Sequence, residues 1–144
     1  MKNLITVCCL LLLGGGITTA HAQSATPFDP LMTELLRVKS ISNHDPGFGS
    51  PNEFYKLSKK FLKSHTPADF RRMTKHLNPI VRAMGLLCLA QTAKDESFLV
   101  LLSHSNDATV VYLHQGCFLS QITISEFAKR LLVDPDFLDP KPIR

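Results

Sequence analysis

Apolar residues return at helical spacing in block after block of this chain. Asp29 caps the first block, Pro30 takes its first turn, and Leu31, Leu35 and Val38 share one face until the pattern stops near Ser42. After Pro51 a second block turns Phe54, Leu57, Phe61 and Leu62 one way and Lys56, Lys59, Lys60 and Lys63 the other. Thr66-Pro67-Ala68-Asp69 reads as a cap, a first-turn proline and an acid at the positive helix end, opening a third helix with Phe70, Met73 and Leu77 apolar. Asn78-Pro79 repeats the device. From Ile80 to Ala90 Arg82 is the sole charge, so the fourth helix belongs at the centre of the fold, with Gly85 admitting a close neighbour.

A fifth helix is predicted from about Asp95 to Ser103, offering Phe98, Leu99, Leu101 and Leu102. Asn106 or Asp107 would cap a sixth, in which Val110, Leu113, Cys117 and Phe118 follow the helical period. Thr123 or Ser125 would cap a seventh, striped by Ile124, Phe127, Ala128 and Leu131 and ended by Pro135, Pro140 and Pro142. No window alternates like a sustained strand. The pattern therefore predicts an all-α fold, a short α-solenoid of six or seven helices in antiparallel pairs. Val81, Met84, Leu87 and Leu113 are its expected deep core.

One phrase recurs. Leu77-Asn78-Pro79-Ile80-Val81-Arg82 opens one apolar run, and His104-Ser105-Asn106-Asp107 opens another about 29 residues later. The stretch Asn78 to Leu87, with Phe70 to His76 as the preceding helix, resembles a HEAT-type repeat of the short bacterial, PBS-lyase-like kind, and the likeness extends more weakly through 94–120. In the second copy Val111 stands in place of Arg82 and His114 in place of Gly85. The resemblance implies stacked helical hairpins and a scaffold's habit of binding other proteins; it implies no chemistry and no particular partner.

Residues 1–22 carry a different message. Lys2, the apolar run Leu4 to Leu13 and Ala20-His21-Ala22 form the three regions of a secretory signal, so the expected mature domain is 23–144, exported to a bacterial periplasm or beyond the cell. A lead-in at 23–28 and an irregular tail at 134–144 would flank it. No later stretch is long and apolar enough to span a membrane. Without Lys2, fifteen basic residues face twelve acidic ones, a mild excess that suits acidic partners, while export makes nucleic acid a poor match.

Candidate chemistry is sparse. Cys88 and Cys117 are the two cysteines outside the leader; export permits a disulfide, and two buried thiols serving as small apolar residues is the other reading. Lys56, Lys60, Lys63, Arg71 and Arg72 would form a basic stripe for an acidic protein partner, with Phe48 as an aromatic contact in the turn-rich loop 43–51. His76 and His104 hold equivalent places before the two repeated phrases, but no spacing of His, Cys, Asp and Glu suits a metal. His44-Asp45 lacks a nucleophile in a recognisable setting.

The expectation is a non-enzymatic, cofactor-free exported protein that binds another protein, one concrete form being an immunity-type inhibitor of a toxin. The rival is a small envelope enzyme or metal protein. That would need loop 43–51 to converge with His65, His76 or His104.

Overall fold

A computed structural model describes residues 29–43 and 52–139. The expected leader and lead-in, His44-Asp45, Phe48 and the end of the tail lie outside these residues.

The local caps act as their residue types dictate. Asp29 accepts from Leu31 N–H at 2.9 Å and starts α1 (Pro30–Arg37). Thr66 and Asp69 exchange both bonds of a capping box at the head of α3 (Pro67–Met73). Asn78 accepts from Ile80 N–H at 2.8 Å to open α4 (Pro79–Thr92), and Thr123 with Glu126 forms a second box at the last helix. Each such cap stabilises its helix by about 1 kcal/mol. Helix α2 (Glu53–Ser64) buries Phe54, Leu57 and Phe61 along one stripe, as the lysines on its other side require.

Helix α4 is the axis. Every residue from Ile80 to Ala90 except Arg82 is buried, and α1, α2, α3, α5 (Lys94–Ser103) and α6 (Ile124–Val133) all pack on it. Gly85 is what brings α3 so close: a Cβ there would lie 2.8 Å from Met73 Cβ, Phe70 O and Thr74 N. Val81, Met84, Leu87 and Leu113 are all buried, but Leu113 reaches the core from a strand.

The all-α solenoid does not form. Among the described residues there are six helices and a three-stranded sheet of order β1-β2-β3. The first helix stops at Arg37, and β1 (Ser40–Ser42) occupies its expected last turn. Where the sixth helix was expected, β2 (Val110–Gln115) and β3 (Phe118–Thr123) form an antiparallel hairpin, and β1 joins β2 in parallel with Ile41 beside Leu113. The physical reason lies in the turn and the branching. Gly116, at φ 61°, supplies the positive φ of a two-residue Gly116-Cys117 loop, and the β-branched runs Thr109-Val110-Val111 and Ile122-Thr123-Ile124 favour a pleated backbone. Helix α5 (Lys94–Ser103) and α6 (Ile124–Val133) complete the order.

Two further placements differ from the helical reading. Leu77, assigned to the apolar face of the third helix, sits in the α3–α4 connection and is 93% exposed. Of the four apolar residues assigned to the fifth helix's core face, only Leu101 is buried.

Gly85→Ala discriminates packing from propensity. Alanine is the better helix former by about 1 kcal/mol, yet overpacking against α3 backbone, which costs about 1 to 3 kcal/mol, should exceed that gain and leave a net loss of up to about 2 kcal/mol. Chemical denaturation checks the sign; a stabilised variant would mean that α3 does not approach α4 at Gly85.

Candidate functional site

From Phe98 to Leu102 helix α5 is apolar without interruption, which is unusual for a helix at the outside of a fold. Its inner side presents Ser97 and Leu101 to α4 and α6, both buried. Phe98, Leu99 and Leu102 share the other side by helical spacing, and they are 55%, 70% and 48% exposed. Asp95 and Glu96 sit in its first turn, where the helix dipole favours them.

The hairpin presents a second apolar surface. Val111, Leu113 and Ile122 face the core, while Val110 and Tyr112 on β2 and Leu119 on β3 face outward and are exposed. Phe118 follows the turn beyond the core and is 75% exposed. These outward positions explain why the strand period was invisible: apolar residues on both faces erase the polar alternation on which it depends. The available signals were the Gly116-Cys117 turn, the β-branched flanks and the lack of any Asp, Glu, Lys or Arg between Asp107 and Glu126.

Between α3, the head of α4 and the end of α5 lies a cleft of about 560 Å³, lined by Arg71, His76, Leu77, Arg82, His104 and Asp107 among others. It unites the two histidines that hold equivalent places in the repeated phrase. Of its two arginines, Arg71 pairs with Glu96, and Arg82 is held by its own chain: Nη1 donates to His76 O and Leu77 O, Nη2 donates to Thr109 Oγ1 at 2.8 Å, and Nε stands 3.1 Å from Asp107 Oδ2, although not aligned for a hydrogen bond. His76 Nδ1 accepts from Asn78 N–H at 3.0 Å, and His104 Nδ1 lies 3.6 Å from Asp107. Burial pushes Asp107 upward, but Thr109 side-chain and backbone bonds, the Arg82 charge and His104 together outweigh it and hold the carboxyl below its ordinary value. The cleft is a structural clamp tying the α3–α4 connection to the segment that leads into β2.

His65 lies elsewhere. Its Nε2 is 2.9 Å from Asp29 Oδ2 and its Nδ1 2.8 Å from Ser64 Oγ, an Asp-His-Ser line. That line is not set up for nucleophilic catalysis. The single Ser64 proton has a competing acceptor in Lys60 O at 3.0 Å, and Ser64 ends α2, where the negative end of the helix opposes an oxyanion. The ring also packs against Phe61 and Phe70, so its evident work is to join the head of α1 to the α2–α3 connection. Among the described residues no group of three or more His, Cys, Asp or Glu stands together to hold a metal.

Lys56 and Lys60 line a groove of about 320 Å³ between α1 and α2, whereas Arg71 lines the α3–α5 cleft. Lys60 pairs with Glu34 at 3.0 Å, Arg71 with Glu96 and Arg72 with Asp69, so three of the five cations already face acids of their own chain. Lys63 stays in the last turn of α2, where a cation suits the dipole. Phe48 lies outside the described residues. Asn43, at the loop's edge, accepts from Gly116 N–H through Oδ1.

The cysteines are apart in environment and both are free. Cys88 is buried in α4, while Cys117 is exposed at the hairpin turn, because the segment that would have carried it beside α4 as a helix folds as strands. Burial pushes the Cys88 thiol up to about 12, against a smaller opposite pull from Lys59.

No protein-family model, curated protein or solved structure matches this chain.

Two outcomes check this geometry. Under native conditions a thiol reagent should modify Cys117 and spare Cys88, which reacts once the chain is unfolded; rapid native labelling of both would contradict the burial of α4. Asp107 contributes stability that is complete above the unfolded carboxylate value near 3.9 and is lost as pH falls through its lower folded value. Asp107→Asn should therefore be less stable than the parent at neutral pH and show a shallower loss in acid; parallel acid curves would contradict the clamp.

Proposed function

We propose that this chain is an exported, non-enzymatic protein-binding module whose partner docks on the outer side of α5. One observation carries the reading: Phe98, Leu99 and Leu102 form an outward stripe on a helix already anchored through its opposite side. Contiguous exposed apolar surface on a small domain favours a protein partner, and aromatic and aliphatic anchors of this kind supply most of the binding energy at such interfaces.

The export signal read in 1–22 supports the compartment. An immunity-type inhibitor is the narrower version of the same reading. The partner it fits has an apolar groove with a polar rim, since Lys94, Asp95 and Glu96 flank the stripe. No helix among the described residues is long and apolar enough to cross a membrane. The competing Lys60 O acceptor at Ser64 and the engagement of both Arg82 terminal nitrogens by its own chain weigh against an enzyme built on His65, His76 or His104.

The test is differential capture. Wild-type protein and the double variant Phe98→Asp, Leu99→Asp, both verified as folded by circular dichroism, are compared as baits on an envelope fraction by quantitative mass spectrometry. A genuine partner should be recovered at least about tenfold less by the variant, the effect of losing central anchors. Equal recovery of every captured protein would remove α5 as the docking side.

A further inference from the structure

Among the described residues β3 is an edge strand with an open outer side. Strand order β1-β2-β3 leaves β3 at the margin, and Phe118, Leu119, Ser120 and Gln121 are all exposed. The ladder's phase is fixed by Ile124 N–H, which donates to Thr109 O at 2.9 Å. Because antiparallel pairs alternate between bonded and non-bonded, Val111 with Ile122, Leu113 with Ser120 and Gln115 with Phe118 exchange bonds, while Leu119, Gln121 and Thr123 turn their backbone groups away from β2. Thr123 N–H is then taken by the Glu126 carboxylate at 2.7 Å. Leu119 and Gln121 are left with outward N–H and C=O groups that no described residue meets.

Natural edge strands are usually protected by lysine, proline or a bulge. This one has none of these. Between Asp107 and Glu126 the chain bears no Asp, Glu, Lys or Arg, so two copies of the strand can meet without opposing like charges, even though the whole chain is net positive.

We infer that the chain forms a two-fold dimer in which the edge of β3 pairs antiparallel with β3 of a second copy, centred on Ser120. The register follows from the outward groups. With Ser120 on the axis, Leu119 faces Gln121 of the partner subunit and Gln121 faces Leu119 of the partner subunit, which uses every outward N–H and C=O of both residues in about four bonds. A dyad on Gln121 would oppose Leu119 to Thr123 of the partner subunit, whose N–H is already engaged; a dyad on Leu119 would oppose Gln121 to the turn residue Cys117 of the partner subunit. The centred register alone wastes nothing. It makes one six-stranded sheet, carries Leu119 and Tyr112 of both copies onto a shared apolar face, and places two α5 stripes on one particle, so that a multivalent partner is held by avidity.

The test uses the full-length gene product after export. In a Cys117→Ser background, Ser120→Cys should link to itself under mild oxidation, because residues opposite each other in a non-bonded antiparallel pair have Cα atoms about 4.5 Å apart, within disulfide reach. Lys63→Cys in the same background is the control and should link far more slowly. Sedimentation of the wild type should show a concentration-dependent shift from one chain mass toward two, and Leu119→Lys should weaken that association at least about tenfold with unchanged circular dichroism. The Phe98→Asp, Leu99→Asp variant should dimerise like the wild type, which separates this inference from the docking role of α5. A wild type that remains monomeric at all concentrations, a Ser120→Cys chain that links no faster than the control, or a dimer lost through the α5 variant in place of Leu119→Lys would each overturn it.

Discussion

The burial of α4 on every side is the constraint from which the rest of this structure follows. A helix whose residues from Ile80 to Ala90 are almost all apolar must be wrapped completely, and 103 described residues supply five helices and a sheet to do so. Gly85 sets how near α3 can come. Arg82, the lone charge, is drawn out at the rim and held by Asp107, Thr109 and the carbonyls of the α3–α4 connection. Once both ends of that clamp are fixed, the chain leaving Asp107 is aimed along the core, and Val111 and Leu113 reach it from an extended backbone.

The two apolar surfaces are a consequence of the same economy of scale. A small domain has few elements with which to cover its own periphery. Helix α5 closes one side of α4 with Ser97 and Leu101 and leaves Phe98, Leu99 and Leu102 outside; the hairpin closes another with Val111, Leu113 and Ile122 and leaves Val110, Tyr112 and Leu119 outside. Both elements are therefore two-faced, and in both the second face is apolar and exposed.

How far the sequence foretold this depends on whether a segment has one apolar face or two. Asp29, Thr66, Asn78 and Thr123 were legible as caps because side-chain oxygens before apolar runs have one favoured use, and each makes its bond. Helix α2 was legible because its lysines mark the solvent side. Residues 110–123 were not, because Val110, Leu113, Cys117 and Phe118 satisfy a helical period while the apolar outward positions conceal a period of two. The exposure of the second faces was hidden for the same reason: Phe98, Leu99 and Leu102 read as further apolar residues of a packed helix, whereas three of the five basic candidates pair within the chain. Leu77 misled by position, falling at the helical period of α3 but beyond its end.

The hairpin is the claim on which both the corrected fold and the self-pairing edge depend, and nuclear magnetic resonance of the protein tests it directly. Non-bonded antiparallel pairs bring their Hα atoms together, so strong Hα–Hα contacts are expected between Tyr112 and Gln121 and between His114 and Leu119. Contacts between residues three apart running through Val110 to Phe118, with those cross-strand contacts missing, would restore a helix to this segment and contradict the account.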